Sequence, residues 1–253
     1  MRKNRRDLAL EALSLPLLLL VWQLLAVIFP SRLFPAPGAV AIEMWNLSVH
    51  GKLVADLGKT LARALAGFVV AMLIGTALGV ALGRARWADR LFSTWLIAGL
   101  NVPAIVTAIA LYIWLGLTET ALLASVVINK VPLVIVSIRE GVRSFSRDYE
   151  ELGAAFRIPL GRRVRLIFLP QLMPFILAAA RNGLSLIWKI VLVFEVLGSD
   201  GGVGFRVSVF FQFFDITGIL AYTAAFVIVV LVFEYLIMRP LERRLLRWRA
   251  APA

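Results

Sequence analysis

The side chains in this sequence that could do chemistry are few, and most sit where charge is costly. Lys130, Arg181, Lys189, Glu195 and Glu234 fall in or beside long apolar runs. In lipid such residues face a bundle interior or a watery cavity, or pair with one another. Three of the five are cations, which suits reversible binding of an anion such as a small oxyanion. Cysteine is absent and His50 is the single histidine. That removes thiol nucleophiles and thiolate metal sites, and it excludes histidine-based triads and metal centres. The catalytic set and the metal set are therefore both empty. His50 reads as an ordinary surface or interfacial residue.

The buried charges carry alternatives. Arg181 and Asn182 stand near the start of an apolar run, so they either line a pathway or snorkel to the interface. Lys189, beside Trp188, either lines a pathway or pairs with a carboxylate, Glu195 or Glu234. Lys189 and Glu195 are six positions apart and do not share a helix face, which weakens that pair. Pro103 lies near the middle of a third apolar run. It removes a backbone donor and pushes its predecessor out of helical geometry. A broken helix follows, and in membranes such breaks occur against protein or a watery cavity. Pro103, Lys130, Arg181, Asn182, Trp188, Lys189 and Glu195 are accordingly the candidate pathway residues.

A second constellation is polar and lies between apolar runs. Asp148, Glu150 and Glu151 open a helix-compatible segment, where acidic groups complement the positive helix end. Gly153, Ala154, Ala155 and Phe156 then give it a small, apolar exposed surface. Pro159 suits the first position of a following helix, where its missing N–H costs nothing. Arg162, Arg163 and Arg165 come next, at the level of lipid headgroups. A solvated loop with snorkelling arginines explains the arginines. It leaves the small-residue helix unexplained, and that helix has the look of a docking surface.

These residues need elements to hold them, and composition says what kind. The chain of 253 residues is 61% hydrophobic and 17% charged, too apolar and too little charged for an ordinary soluble domain. Its apolar runs are long enough to cross lipid. Six spans are expected, at 8–29, 60–83, 91–117, 121–138, 169–198 and 216–238. The first run is long for a signal peptide and no small-residue cleavage site follows it, so it reads as a retained helix. Residues 40–49 form a candidate interfacial helix carrying Ile42, Trp45 and Val49 on one side. Gly67, Gly75, Gly79 and Gly83 recur at multiples of four on one helix face, a pattern for close helix packing in lipid.

The net charge of +12 could suggest nucleic acid, but its distribution assigns it to topology. Nineteen Lys and Arg fall in the head, the 84–90 and 139–165 loops and the tail, five on the opposite side, and three inside spans. The positive-inside rule then puts both termini in the cytoplasm. The chain divides into residues 1–59 (head, first helix and periplasmic connection), 60–240 (a core with its loop at 139–170) and 241–253 (a basic tail).

The loop resembles the signature of the membrane subunit of bacterial ABC importers: Glu-Ala-Ala, three residues, Gly, nine residues, then Ile-x-Leu-Pro. Glu151 falls at its Glu, and Ile167, Leu169 and Pro170 match its end. Leu152 and Gly153 occupy the alanine positions, and Arg157 stands at the glycine. A left-handed backbone at an arginine costs roughly 1–2 kcal/mol, so Pro159 and Gly161 are expected to shape the turn slightly later. Ala178-Ala179-Ala180-Arg181, Trp188-Lys189, Glu195-Val196-Leu197-Gly198 and Gly201 to Gly204 resemble the nitrate, sulfonate and taurine branch.

The resemblance implies an all-α, polytopic fold like that of type I ABC importer permeases, with a cytoplasmic coupling helix. Its coupling residues would be Glu151, Gly153, Ala154, Ala155, Phe156, Arg157, Ile167, Leu169 and Pro170. It also implies a bacterial inner-membrane location, a second copy of the chain, two ATPase subunits and a periplasmic or lipoprotein solute-binding protein. The chain has no Gly-x4-Gly-Lys-Ser/Thr phosphate loop. ATP and Mg would therefore sit on the partner, and the chain itself is no enzyme. The implied solutes are nitrate, sulfonates or taurine, with pyrimidine-like or aromatic compounds as the alternative. Two rivals from other classes lack their marks. An ion-coupled transporter would show inverted repeats and midplane carboxylates, and an intramembrane enzyme has no residues from which to be built.

Overall fold

The computed structural model describes residues 5–31 and 33–246, with the side chains of 5–12, 15, 147, 150, 154 and 246 excepted. Arg2, Lys3 and Arg32, and Arg247, Trp248 and Arg249 of the tail, lie outside the described residues, as does the side chain of Ala154.

Helix α1 (Arg5–Ile28) is followed by α2 (Pro37–Val49), which contains the short helix expected at residues 40–49. The Trp22 indole donates to the Pro35 carbonyl at 3.1 Å and ties the two together. Helix α3 (Leu53–Arg84) has 32 residues, about 48 Å at 1.5 Å per residue. It begins well before residue 60, so the expected boundary at 59/60 falls inside a continuous helix. The extra turns look like loop by hydropathy because they are polar. They are helical because Asp56, Thr60 and Arg63 are buried against other elements.

The glycine stripe of α3 packs against α6 (Glu119–Arg143), which Thr118 caps by accepting from the Ala121 N–H at 3.2 Å. Gly67 faces Val126, Gly75 faces Val134, Gly79 faces Ile138 and Gly83 faces Val142. Both numbers rise together, so α3 and α6 run parallel, one glycine to each branched side chain. Small residues let the backbones close to a distance at which β-branched side chains fill the gap.

Parallel neighbours need a return crossing between them, and α4 (Arg86–Asn101) with α5 (Ala104–Leu115) supplies it. The two meet at 94°. Val102 is extended (φ −69°, ψ 122°) and Pro103 caps α5. Proline explains both, since it lacks the N–H and displaces its predecessor from helical geometry. The break expected at Pro103 is present, but residues 91–117 do not form one straight span.

After α6 come the short α7 (Arg147–Ala155) and α8 (Leu160–Arg163), then α9 (Leu169–Gly198). A π turn, Val164–Phe168, joins α8 to α9, with the Leu169 N–H bonded to the Val164 carbonyl. Pro170 follows immediately; the wider turn accommodates a residue that has no N–H to return. The glycine-rich connection after α9 is not all loop, for it contains α10 (Val203–Gln212). Helix α11 (Ile216–Phe233) passes through a second π turn, Glu234–Met238, into α12 (Arg239–Leu246).

Among the described residues, four helices are long and apolar enough to cross a membrane, or five if the bent α4–α5 pair counts as one crossing. The apolar part of α1, Pro16–Ile28, is shorter. The expected count of six is not confirmed among the described residues, where the first expected span corresponds to this shorter apolar stretch of α1. The shared core lies where α3, α5, α6, α9 and α11 meet, with Leu122, Val126, Ile187, Val191, Phe194 and Tyr222 buried. Leu73, Ile113 and Trp114 stand exposed on the outside, as a lipid-facing surface requires.

The α3–α6 stripe is sensitive to added volume. A Cβ at Gly75 would lie 2.5 Å from Val134 Cβ, whereas one at Gly38 in α2 meets nothing within 4 Å. Gly75→Ala should therefore lower stability by about 1–3 kcal/mol and Gly38→Ala should not, as read from thermal melts of detergent-purified protein.

Candidate functional site

Two places in this fold hold polar residues with work to do, at one end of the bundle and along its middle. At the Arg84 and Arg143 end, α7 closes with a left-handed turn. The Ile158 N–H donates to the Gly153 carbonyl at 3.0 Å and Phe156 N–H to Leu152 at 3.1 Å. Phe156 ends the regular helical bonding, Arg157 has φ +49°, and the Ile158 N–H reaching back to Gly153 across it is the 6→1 bond of a left-handed helix cap. Arg157 itself therefore takes the conformation of the glycine whose place it holds. Gly161 lies within α8 instead, and Pro159 caps that helix from just outside it rather than as its first residue. Both expectations for a later turn are corrected, because the Ile158–Gly153 bond closes the turn at Arg157.

The outer face of α7 carries Tyr149, Leu152 and Phe156 at i, i+3 and i+7. All three are exposed, Phe156 at 76%. Glu151, Ala155 and Arg157 are exposed beside them. The inner face is seated through buried Gly153, where a Cβ would come 3.2 Å from both Arg163 Nε and Ile167 Cδ1. Beneath, the Arg84 guanidinium lies 4.5 Å from the Phe168 ring centroid. Phe145 meets the same ring edge-on at 5.1 Å. Gln171 accepts from the Ser146 N–H at 3.3 Å. Ile167 is half-buried in this seat, while Leu169 and Pro170 begin the α9 segment. An apolar helix face thus stands outward on a base tied to α3, α6 and α9.

Along the middle, α9 shows Arg181, Asn182, Ser185 and Lys189 on one exposed face, spaced i, i+1, i+4 and i+8. They line a cavity of about 580 Å³ against Thr223 and Glu234. Arg181 pairs with Glu234 at 3.4 Å and with Glu242 at 3.2 Å. Lys189 is exposed and has no ion pair among the described residues. Neither carboxylate weighed as its partner is bound to it. Trp188 turns inward as a wall, with Phe226 and Phe233 at ring distances of 6.3 and 5.7 Å, both near perpendicular. A smaller cavity of about 210 Å³ lies at the α4–α5 break, lined by Val102 and Ala104 on either side of Pro103 and by Lys130.

Glu195 has a different setting from the other candidates. It is fully buried, lines neither of those cavities, and is enclosed by the far end of α3. Arg63 Nη1 donates to it at 2.8 Å and to the Gly201 carbonyl at 2.6 Å. Thr60 Oγ1 donates at 2.8–2.9 Å, and the Gly204 N–H at 2.9 Å. Gly202 has φ +102°, and a Cβ there would land 2.5 Å from the Glu195 carboxyl carbon. Arg63 also binds Glu119 through Nε at 2.9 Å and through Nη2, and it reaches Asp200 at 3.1 Å. Asp56 extends the network, accepting from Gly202 N–H, Arg206 and Tyr222. Lys59 bonds Asp200 at 2.6 Å and holds its carboxyl below the usual carboxylate range.

The assignment of Glu195 to the pathway is therefore corrected. Its oxygens are consumed in joining α9 to α3 and α10, with Arg63 carrying the tie on to α6 through Glu119, and it forms a structural tie. Sequence reasoning passed over Asp56, Thr60, Arg63, Glu119, Asp200 and Tyr222. One signal was present, because Asp56, Thr60, Arg63 and Gly67 continue the glycine stripe at helical spacing.

Comparison with known proteins gives this geometry a setting. Residues 71–247 match the family described as the binding-protein-dependent transport system inner membrane component. A protein named as an aliphatic sulfonates transport permease, SsuC of Escherichia coli (strain K12), is 33% identical over 190 residues, 73% of this chain and 71% of its own. The like-named protein of Bacillus subtilis (strain 168) is 23% identical over 243 residues, 95% and 88% of the two chains. Among solved structures, a chain of the inward-facing MetNI methionine ABC transporter shares the fold, with a TM-score of 0.67 at 17% identity. That match covers 78% of this chain and 98% of the other.

The Glu195 network yields a graded expectation. Removing one partner of a buried ion pair costs about 3–5 kcal/mol, so Glu195→Leu should sharply lower the melting temperature in detergent. Gly202→Ala should act in the same direction by driving a methyl group into the carboxylate. Lys59→Ala, at the exposed rim, should change it far less.

Proposed function

Because this chain belongs to the binding-protein-dependent transport system inner membrane component family, we propose that it forms the membrane pathway for a small anion, of the aliphatic sulfonate, nitrate or taurine type. It is a multi-pass permease subunit of an ABC importer. Solute is handed over by a separate binding protein, and hydrolysis of ATP, with its Mg, takes place on a partner ATPase. The observation that carries this reading is the outward apolar face of α7, Tyr149, Leu152 and Phe156, on its rigid seat. A monomeric chain has no reason to hold such a face in water. A groove on an ATPase would bury it, as an amphipathic helix is buried in a hydrophobic groove.

Coupling then follows from mechanics. Gly153 locks α7 to Ile167 and Arg163, and these lead without a break into α9. Movement of the ATPase pair would tilt α7, swing the start of α9, and alternate the access of the polar stripe between the two sides. The stripe is uncovered in a single chain, so a second copy laid against it would complete the pathway. Its cations Arg181 and Lys189 suit anionic solutes, and the sulfonate permease relatives support that class. Charge distribution supports an α7 that faces the cytoplasm together with both termini, leaving the Arg63–Glu195 end on the far side.

The absence of cysteine makes orientation directly testable. Cysteine placed at exposed Ala155 should react with a membrane-impermeant maleimide only from the cytoplasmic side, and cysteine at His50 only from the opposite side. Co-expression should recover this chain with an ATPase, and vesicles holding the complex should take up anion only with ATP. Phe156→Asp with Leu152→Ser should abolish both the co-purification and the uptake while the chain still inserts. Lys189→Ala should impair uptake with the complex still assembled. Uptake by this chain alone, without ATP, would overturn the importer reading.

A further inference from the structure

Among the described residues two cations are buried, and their fates are opposite. Arg63, 5% exposed, has carboxylates on three sides. Lys130, 1% exposed, has none, and its Nζ is buried without a hydrogen-bond partner. An unpaired buried ammonium is among the costliest arrangements a fold can keep, yet this fold makes room for it. A Cβ at Gly183 in α9 would come 2.7 Å from Lys130 Cε and 3.2 Å from its Nζ.

Lys130 borders the cavity of about 210 Å³ at the α4–α5 break, with Asn129 beside it. Asn129 Nδ2 donates one hydrogen to the Ser125 carbonyl at 2.9 Å and has a second to give. The amino end of α5 reaches the same space through Ala104. Its first intrahelical bonds are those of Val106 and Thr107 to the Pro103 carbonyl, so the N–H groups of Ala104 and Ile105 have no helical partner. A helix start of this kind carries partial positive charge. The remaining walls are aliphatic, chiefly Leu100, Leu133, Leu186 and Ile190, with neither a carboxylate nor an aromatic ring in the lining.

We propose that Lys130, Asn129 and the amino end of α5 form an internal binding site for the anionic head of an aliphatic sulfonate, whose tail lies along the aliphatic wall. The proposal rests on the importer reading above and narrows its solute. Nitrate has no tail for this wall. Taurine carries an ammonium for which the lining offers no acid, and an aromatic solute finds no ring to stack on. The rotatable bonds of the lysine stem let the ammonium move from its place against Gly183 to a head group in the cavity.

The test uses the purified complex with its ATPase, in detergent and without the binding protein, and measures protection against thermal unfolding by methane-, ethane- and butanesulfonate, taurine and nitrate. Affinity should rise about fourfold per methylene, with taurine and nitrate protecting least. Lys130→Met should remove the protection while raising the unliganded melting temperature, because it deletes an unpaired charge. Lys130→Arg should retain part of it. Equal protection by nitrate and butanesulfonate, or no dependence on chain length, overturns the assignment without any variant. Undiminished protection in Lys130→Met overturns it too. If the wild-type complex imports sulfonate with ATP and shows either result, only this site falls; if it imports no anion at all, the importer reading falls with it.

Discussion

One face of α3 sets the spacing of the whole bundle. Asp56, Thr60, Arg63, Gly67, Ala71, Gly75, Gly79 and Gly83 lie along it at helical intervals, and all but Gly83 are buried. Its glycine half admits the branched side chains of α6 so closely that a single added methyl would collide. In lipid no hydrophobic drive holds helices together, so this close packing has to supply the attraction through dispersion and polar contacts. Because α3 and α6 run parallel, the chain between them must cross back. The bent α4–α5 pair and its cavity are a consequence of that requirement.

The polar half of the same face does a second job. Arg63 and Thr60 hold Glu195 at the far end of α9, while Arg84 lies over Phe168 near its beginning. Helix α9 is thereby fastened to α3 at both ends. The face it leaves uncovered carries Arg181, Asn182, Ser185 and Lys189. Under the proposed coupling, a stiff element fixed at its ends would carry a push from α7 along its length, whereas a loosely packed one would absorb it. The strain of a left-handed Arg157 fits this picture, since the Ile158–Gly153 bond closes the α7 turn around it.

Charge inside this protein is sorted by what surrounds it. Glu195 is buried and fully bonded, Arg181 is paired at a half-exposed edge, Lys189 is uncovered, and Lys130 is buried and unpaired. Glu195 and Arg181 have their charge answered by groups of the same chain, whereas Lys189 and Lys130 have no ion pair among the described residues.

Much of this was legible in the residues themselves. Apolar runs mark the helices, the fourfold glycine spacing marks a packing face, Pro103 marks a break, and the acidic front and small surface of residues 148–156 mark a short helix with an exposed face. Each is a local property, decided by backbone sterics or by a period of a few residues. What the tertiary structure alone decided is long-range. The start of α3 lies before the expected residue 60: hydropathy registers Asp56 and Lys59 as polar, while their partners Arg206 and Asp200 come from more than a hundred residues later. Glu195 passed for a pathway residue for the same reason. A carboxylate in an apolar run looks alike whether it faces a cavity or an arginine, and only the placement of a distant helix tells the two apart. The 94° bend is of this kind as well: Pro103 dictates that the helix breaks, but the angle is set by where α6 requires the chain to return.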